Sequence, residues 1–230
     1  MHQPIDVVTA NVVGIVPMRH DSERVPGKNY RLFGGRPLYH HVVATLLASA
    51  RISRVVIDTD SDLIRDDARV AFPNVEVIER PPHLRDGLVP MNEVLLNDVR
   101  RVGADLYLQT HSTNPLLREE SVTRSVDMLL TDPGHDSLFS VTRLQTRLWD
   151  GEGAPINHDP NVLARTQDLP PVFEENSCLY LFTRESLERH GNRIGERPIL
   201  FELSREEAWD IDEDVDFRVA EALYASRATA

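Results

Sequence analysis

Residues 12–29 read VVGIVPMRHDSERVPGKN, an apolar run that turns into a charged loop. Val12, Val13, Gly14, Ile15 and Val16 are bounded by Pro17, the pattern of a short buried strand. The loop behind them carries Arg19, Arg24 and Lys28 with Gly27 between, and Pro37 reads as the first residue of a helix. A buried strand emptying into a cationic, glycine-containing loop puts backbone N–H groups and fixed positive charge at the carboxyl edge of a sheet. That is where open α/β folds bind ligands, and a polyphosphate is the natural guest. Neither a Walker loop nor a GxGxxG run is present, and by residue type alone these charges read more readily as a solvated turn.

Outward from this stretch the chain alternates. A helix over residues 37–49 places Leu38, Val42, Val43, Leu46 and Leu47 at helical spacing, and RVVIDT from Arg54 is a second buried strand ending near Asp58 and Asp60. Ser61 caps a helix over 63–71. A third strand starts at Val75 and stops at Arg80 and Pro81, a helix covers 91–102, and a fourth strand from Asp105 runs into STNPLLR. A helix over 119–130 and a strand from Ser137 follow. Between residues 145 and 171 the periodicity weakens under Gly151, Gly153, Pro155, Pro160 and Pro170, which reads as a functional or interfacial excursion able to carry hairpin strands and a subunit contact. The core resumes with a strand over 177–182, a helix capped by Thr183, a strand from Ile199 and a closing helix through Ala222. This βα alternation implies a mostly parallel sheet with helices on both faces, read as one domain over residues 1–230.

Composition sets bounds on function. The 230 residues are 41% apolar and 27% charged, an ordinary globular balance. A net charge of −12 argues against nucleic acid as a partner, while a local cationic cluster suffices for a nucleotide. The single cysteine, Cys178, sits beside Leu179 and Leu181 and reads as a buried structural thiol in a reducing compartment. The first ten residues lack a basic region followed by an apolar core, and no apolar run reaches membrane-spanning length, so the expected setting is cytoplasmic with no membrane partner.

Near the other end, WDIDEDVD alternates Asp210, Asp212, Asp214 and Asp216. In an extended segment Asp210 and Asp212 point the same way, and adjacent carboxylates repel unless a hard cation such as magnesium sits between them. Asp214 and Asp216 read as the acidic start of a helix, and by alternation alone the first pair could belong there too.

Four ordered segments carry a family resemblance. The loop RHDSERVPGKN followed by GGRPL resembles the signature of sugar nucleotidyltransferases, and Lys28-Asn29 after Pro26-Gly27 is similar to the acylneuraminate cytidylyltransferases, which make CMP-sialic acids. LQTHSTNPLLR from Leu108, DLPPVFEENSCLYLF from Asp168, and Asp210-Ile211-Asp212 resemble the family's remaining segments. The resemblance implies a Rossmann-like nucleotidyltransferase fold, a homodimer, and transfer of CMP from CTP to the anomeric hydroxyl of a nonulosonic or related α-keto sugar acid. It implies nucleotide contacts from Arg19, Ser22, Lys28, Asn29, Arg80 and Ser112, and sugar contacts from Gln109, Asn176 and Tyr180. Asp210 and Asp212 would hold Mg2+, and with Arg19 and Lys28 they form the expected catalytic set.

The chain also departs from the family pattern. Glu174 and Glu175 stand where the sialic acid branch often has Arg-Pro, Ser177 follows Asn176 where the family has Gly, and His111 and Asn114 alter the fourth-strand segment. Arg143, Arg147 and Arg165 are alternative partners for a sugar carboxylate, or plain surface charge. The relatives acting on 3-deoxy-manno-octulosonic acid, with Lys-Pro in place of Lys28-Asn29, and a nucleotide-sugar binding protein without turnover are the competing readings.

Overall fold

The computed structural model describes residues 5–22 and 24–227. The reading of residues 1–10 as lacking a leader falls partly on residues 1–4, outside the described residues.

β1 (Val12–Met18) is buried along its whole length. Lys28–Tyr30 forms one 3-10 turn. A small hairpin, β2 (Leu32–Phe33) and β3 (Arg36–Pro37), leads into α1 (Leu38–Ala48). The hairpin was not expected. Its signal is Gly34-Gly35, both at positive φ (54° and 88°), as a two-residue turn between antiparallel strands requires. Pro37 therefore ends a strand, and the helix begins one residue later than its ring led us to expect.

β4 (Arg54–Thr59), α2 (Asp62–Ala71), β5 (Glu76–Glu79), α3 (Met91–Arg101) and β6 (Leu106–Thr110) follow. Ser61 caps α2 by accepting the Ile64 N–H at 3.3 Å. Next come α4 (Glu119–Leu130), β7 (Ser137–Leu144), β8 (Val172–Phe182), α5 (Arg184–His190), β9 (Pro198–Glu202) and α6 (Asp214–Arg227).

Seven strands make one sheet in the order β5-β4-β1-β6-β8-β7-β9. Four neighbouring pairs are parallel; β8 alone runs antiparallel, to both β6 and β7. The alternation of side chains along β1 feeds two cores. Val12 and Val16 pack with α1, α2 and α4 on one face, through Val42, Ile64 and Val122 among others. Val13 and Ile15 pack with Leu95 and Val99 of α3 and Leu187 of α5 on the other. Helices thus cover both faces, as the chain pattern implies. Gly14 lets α1 approach, since a Cβ there would lie 3.0 Å from Leu46 Cδ1.

One strand boundary needs correction. The strand read over 177–182 begins at Val172, because residues 172–175 continue to pair with β7 beyond a register shift opposite Phe139 and Val141. The excursion over 145–171 forms a short hairpin, in which Trp149 and Pro155 make an isolated antiparallel bridge flanked by Asp150 N–H donating to the Ala154 carbonyl and Ile156 N–H to the Leu148 carbonyl, both at 2.9 Å, and one 3-10 turn covers Thr166–Asp168.

Candidate active site

Strand order reverses at β1. The chain goes from β1 to β4 and β5 on one side, then returns to place β6 on the other. The crevice at that reversal, beyond the carboxyl ends of β1 and β6, is where this architecture leaves room for a ligand. A cavity of about 440 Å3 opens there, lined by Met18 and Arg19 after β1 and by His111, Ser112 and Thr113 after β6. Ser22, Lys28, Asn29, Arg80, Asp210 and Asp212 line it too. The residues expected to meet the nucleotide and the two expected to hold a metal therefore face one space, although up to about 190 residues separate them in sequence.

The local structure explains how the cationic loop is held. Gly27 takes φ 66°, and a Cβ there would sit 2.8 Å from the Tyr30 ring. That turn aims Lys28 inward at 8% exposure, and its Nζ donates to the Ile211 carbonyl at 2.6 Å. Burial lowers the Lys28 pKa, while Asp210 and Asp212 pull it back up. Asn29 bridges the two halves of the crevice: its Nδ2 donates to the Arg19 carbonyl at 2.7 Å, and its Oδ1 accepts from Ser112 Oγ at 2.7 Å.

Ile211 anchors the acidic pair. It is fully buried against Phe33, Leu38 and Phe217, burial that contributes about 1.5–3 kcal/mol. Asp210 and Asp212 flank it and both reach the cavity. Asp212 Oδ1 accepts from Arg24 at 2.6 Å and lies 3.7 Å from Lys28 Nζ. Burial raises the Asp210 pKa, and its Oδ1 is buried without a hydrogen-bond partner. Asp216 lies in the first turn of α6, as read from sequence, and its Oδ2 accepts from the backbone N–H groups of Asp212 and Glu213 at 3.1 and 2.8 Å.

Arg80 is 2% exposed and pairs with Asp58, 0% exposed, at 2.5 Å. Asp98 of α3 hydrogen-bonds to Asp58 carboxyl to carboxyl, and burial beside that charge pushes its pKa up to about 8. Asp98 therefore carries a proton at neutrality, and the trio is neutral as a unit.

A second cavity of about 630 Å3 adjoins the first, with Ser177, Asp210 and Asp212 on the wall of both. Glu174, Glu175, Asn176 and Arg205 line it. Asn176 is fixed by Ser140 Oγ at 2.6 Å and Thr142 Oγ1 at 3.0 Å. Ser177 holds φ 58°, the left-handed region a glycine would occupy without strain.

Gln109 and Tyr180, expected at the sugar, are set back behind the cavity walls. Both are fully buried, and neither lines either of these two cavities. Between them and the first cavity stands Arg193, a residue the sequence reading missed. Its Nη1 donates to Gln109 Oε1 at 2.5 Å, and its guanidinium lies 3.4 Å above the Tyr180 ring. Arg24, also on the wall, was read only as part of the loop's charge. Arg143, Arg147 and Arg165 line neither cavity; they hold Gln145, the Ala164 carbonyl and Asp168 within and beside the excursion. Burial and the neighbouring Arg193 and Lys28 lower the His111 pKa to about 3, so that ring faces the first cavity neutral. Cys178 is buried with its thiol pKa raised, the inert structural thiol expected.

Comparison with known proteins finds cytidylyltransferase relatives and structures of the same fold. N-acylneuraminate cytidylyltransferase A of Danio rerio is 28% identical over 220 residues, covering 92% of this chain and 50% of the relative. CMP-N,N'-diacetyllegionaminic acid synthase of Legionella pneumophila is 25% identical over 229 residues, covering 92% of this chain and 95% of the relative. The chain thus spans about half the length of the Danio rerio relative and nearly all of the Legionella one. Among solved structures, CMP:2-keto-3-deoxy-manno-octonic acid synthetase complexed with CTP shares the fold, with a TM-score of 0.73 at 17% identity over 95% of this chain and 100% of that one. A 4-diphosphocytidyl-2C-methyl-D-erythritol synthase from Anaerococcus prevotii shares it with a TM-score of 0.68 at 12% identity, over 95% of this chain and 98% of that one. The cytidylyltransferase family model matches residues 13–227, nearly the whole chain, and the protein belongs to that family.

Proposed function

We propose that this chain transfers CMP from CTP to the anomeric hydroxyl of a nonulosonic, sialic acid-like or related α-keto sugar acid, releasing pyrophosphate. One observation carries the reading: Lys28 Nζ, from the amino-terminal loop, and Asp212 Oδ1, from the carboxyl-terminal segment, lie 3.7 Å apart in one crevice. The same aspartates also face the adjoining cavity, so nucleotide and acceptor would meet across them.

In this reading Arg19 and Lys28 neutralise the triphosphate. Ser22, Asn29 and Ser112 hold the nucleotide, and Arg80 supports it from beneath. The acceptor hydroxyl oxygen bonds to the α-phosphorus, the bond from that phosphorus to the bridging oxygen breaks, pyrophosphate leaves, and the hydroxyl proton is lost. Positioning and charge stabilisation supply the rate, with no covalent enzyme intermediate.

Among the described residues no group of three or more His, Cys, Asp and Glu side chains is placed to hold a metal by itself. Two carboxylates completed by substrate phosphates and water are the usual magnesium arrangement. The unpartnered buried Oδ1 of Asp210 fits that role, with Asp212 beside it. Magnesium held there would offset charge on the phosphate oxygens. Asn176 would face the sugar from the second cavity.

Two further features belong to the reading. The excursion over 145–171 exposes Trp149, Ile156, Val162 and Leu163, and Leu163 is 94% exposed. Such a surface supports the homodimer that the sequence resemblance implies, with the excursion as the contact. No helix among the described residues is long and apolar enough to cross a membrane; the single buried thiol fits the reducing, cytoplasmic setting in this reading.

The test is pyrophosphate release from CTP and Mg2+ with N-acetylneuraminate, N,N'-diacetyllegionaminate and 3-deoxy-manno-octulosonate as acceptors. Turnover with one of the first two is expected, and Asp210→Asn should abolish it while leaving the thermal unfolding transition in place. Full activity in Asp210→Asn would remove the metal role. Turnover only with the octulosonate would favour the competing acceptor, and CTP binding without turnover on any acceptor would favour a binding protein.

A further inference from the structure

Arg193 stands three residues beyond α5, after Gly191 closes that helix at φ 61°. Its backbone N–H donates to Asn92 Oδ1 of α3 at 3.2 Å, which ties the turn to the helix bordering the first cavity. The guanidinium then runs over buried neutral groups. Nη1 donates to the amide oxygen of Gln109 at 2.5 Å, and the group stacks 3.4 Å above the ring of Tyr180.

What this cation lacks is a carboxylate. Glu175, whose charge is felt at Arg193, accepts the Tyr180 hydroxyl instead, and among the described residues no ion pair joins Arg193 to a carboxylate. A partly desolvated guanidinium with five donors, held by an amide and an aromatic face, is a preorganised receptor for a planar anion. It lines the first cavity with Ser177, and Ser177 also lines the second.

The acceptor side needs such a group. Charges on the second cavity are Glu174, Glu175, Asp210, Asp212 and Asp216 against Arg205 alone. A sugar acid entering that space finds little to offset its own carboxylate, because Glu174 and Glu175 repel it. The triphosphate, by contrast, already has Arg19, Arg24 and Lys28 around it. We propose that Arg193 binds the carboxylate of the acceptor sugar acid, with Gln109 and Tyr180 acting as positioning residues that hold the guanidinium rather than touching the sugar themselves. This rests on the cytidylyl-transfer reading above, and it gives this chain a substitute for the basic residue that Glu174 and Glu175 displace.

Steady-state kinetics of pyrophosphate release test it, with wild type, Arg193→Gln and Arg193→Lys, using the best of the three acceptors and its carboxamide analogue. Loss of a charge-assisted contact should raise the acceptor KM in Arg193→Gln by about 10- to 100-fold, with the CTP KM within about 2-fold of wild type and partial recovery in Arg193→Lys. Wild type should discriminate against the carboxamide by a similar factor, and Arg193→Gln should lose that preference. The wild-type comparison of acid with carboxamide needs no variant to fold, and equal use of the two would overturn the proposal. A raised CTP KM with an unchanged acceptor KM would instead assign Arg193 to the nucleotide. Wild-type turnover with an acceptor KM indifferent to Arg193 sinks this inference alone, whereas no turnover on any acceptor sinks it together with the reading beneath it.

Discussion

Replacing Asp98 by Asn tests the buried charge cluster under the nucleotide cavity. Asp98 and Asp58 are both 0% exposed, Arg80 is 2% exposed, and Asp58 Oδ2 and Asp98 Oδ2 have no partner apart from their shared carboxyl–carboxyl bond. Two ionised carboxylates cannot share that space with one guanidinium, so Asp98 keeps a proton up to about pH 8 in the folded chain, against 3.8 for the ordinary group. The folded pKa is raised. Its contribution to stability is therefore complete below the unfolded pKa and is lost as pH rises through the folded one. Between those limits the native state binds one more proton than the unfolded state. Stability should fall by at most about 1.4 kcal/mol per pH unit from this group alone, or about 3 kcal/mol between about pH 5 and pH 7.5. Asparagine keeps a donor toward Asp58 and cannot titrate. Urea unfolding of both proteins across that range should show the stability of Asp98→Asn, relative to wild type, rising with pH. Parallel curves would refute the shared proton.

Other outcomes follow from single features. Ser177→Gly should relieve left-handed strain of about 1 kcal/mol and raise the Tm by about 2–4 °C, whereas Ser177→Ala should bring no such gain; differential scanning calorimetry decides, and equal melting of all three would remove the strain argument. If the excursion is the dimer contact, sedimentation should give a dimer for wild type and a monomer for the Trp149→Glu, Leu163→Glu double variant. A monomeric wild type would contradict that assignment.

Much of this architecture was legible in the chain because it rests on local periodicity. The apolar run of β1, the Ser61 and Thr183 caps and the spans of α4 and β7 all follow from patterns within a dozen residues. So did half of the site. The Gly27 turn and the Asp210-Ile211-Asp212 alternation are local, and the fold needed only to bring them together. Arg193 was invisible because nothing near it distinguishes it from a surface arginine; its partners Gln109 and Tyr180 come from β6 and β8. The Asp58–Arg80–Asp98 cluster likewise joins β4, the end of β5 and α3, a contact no local spacing encodes. The hairpin at Gly34-Gly35 was different: its turn residues were in plain sight, but strands of two residues are too short to show a period.

The most direct measurement is a crystal soaked with CTP and Mg2+. The account predicts one triphosphate in the crevice, a phosphate oxygen within hydrogen-bond reach of Lys28 Nζ, and a metal at about 2.0–2.1 Å from an Asp210 or Asp212 oxygen. A nucleotide bound away from either the lysine or the aspartates would contradict it.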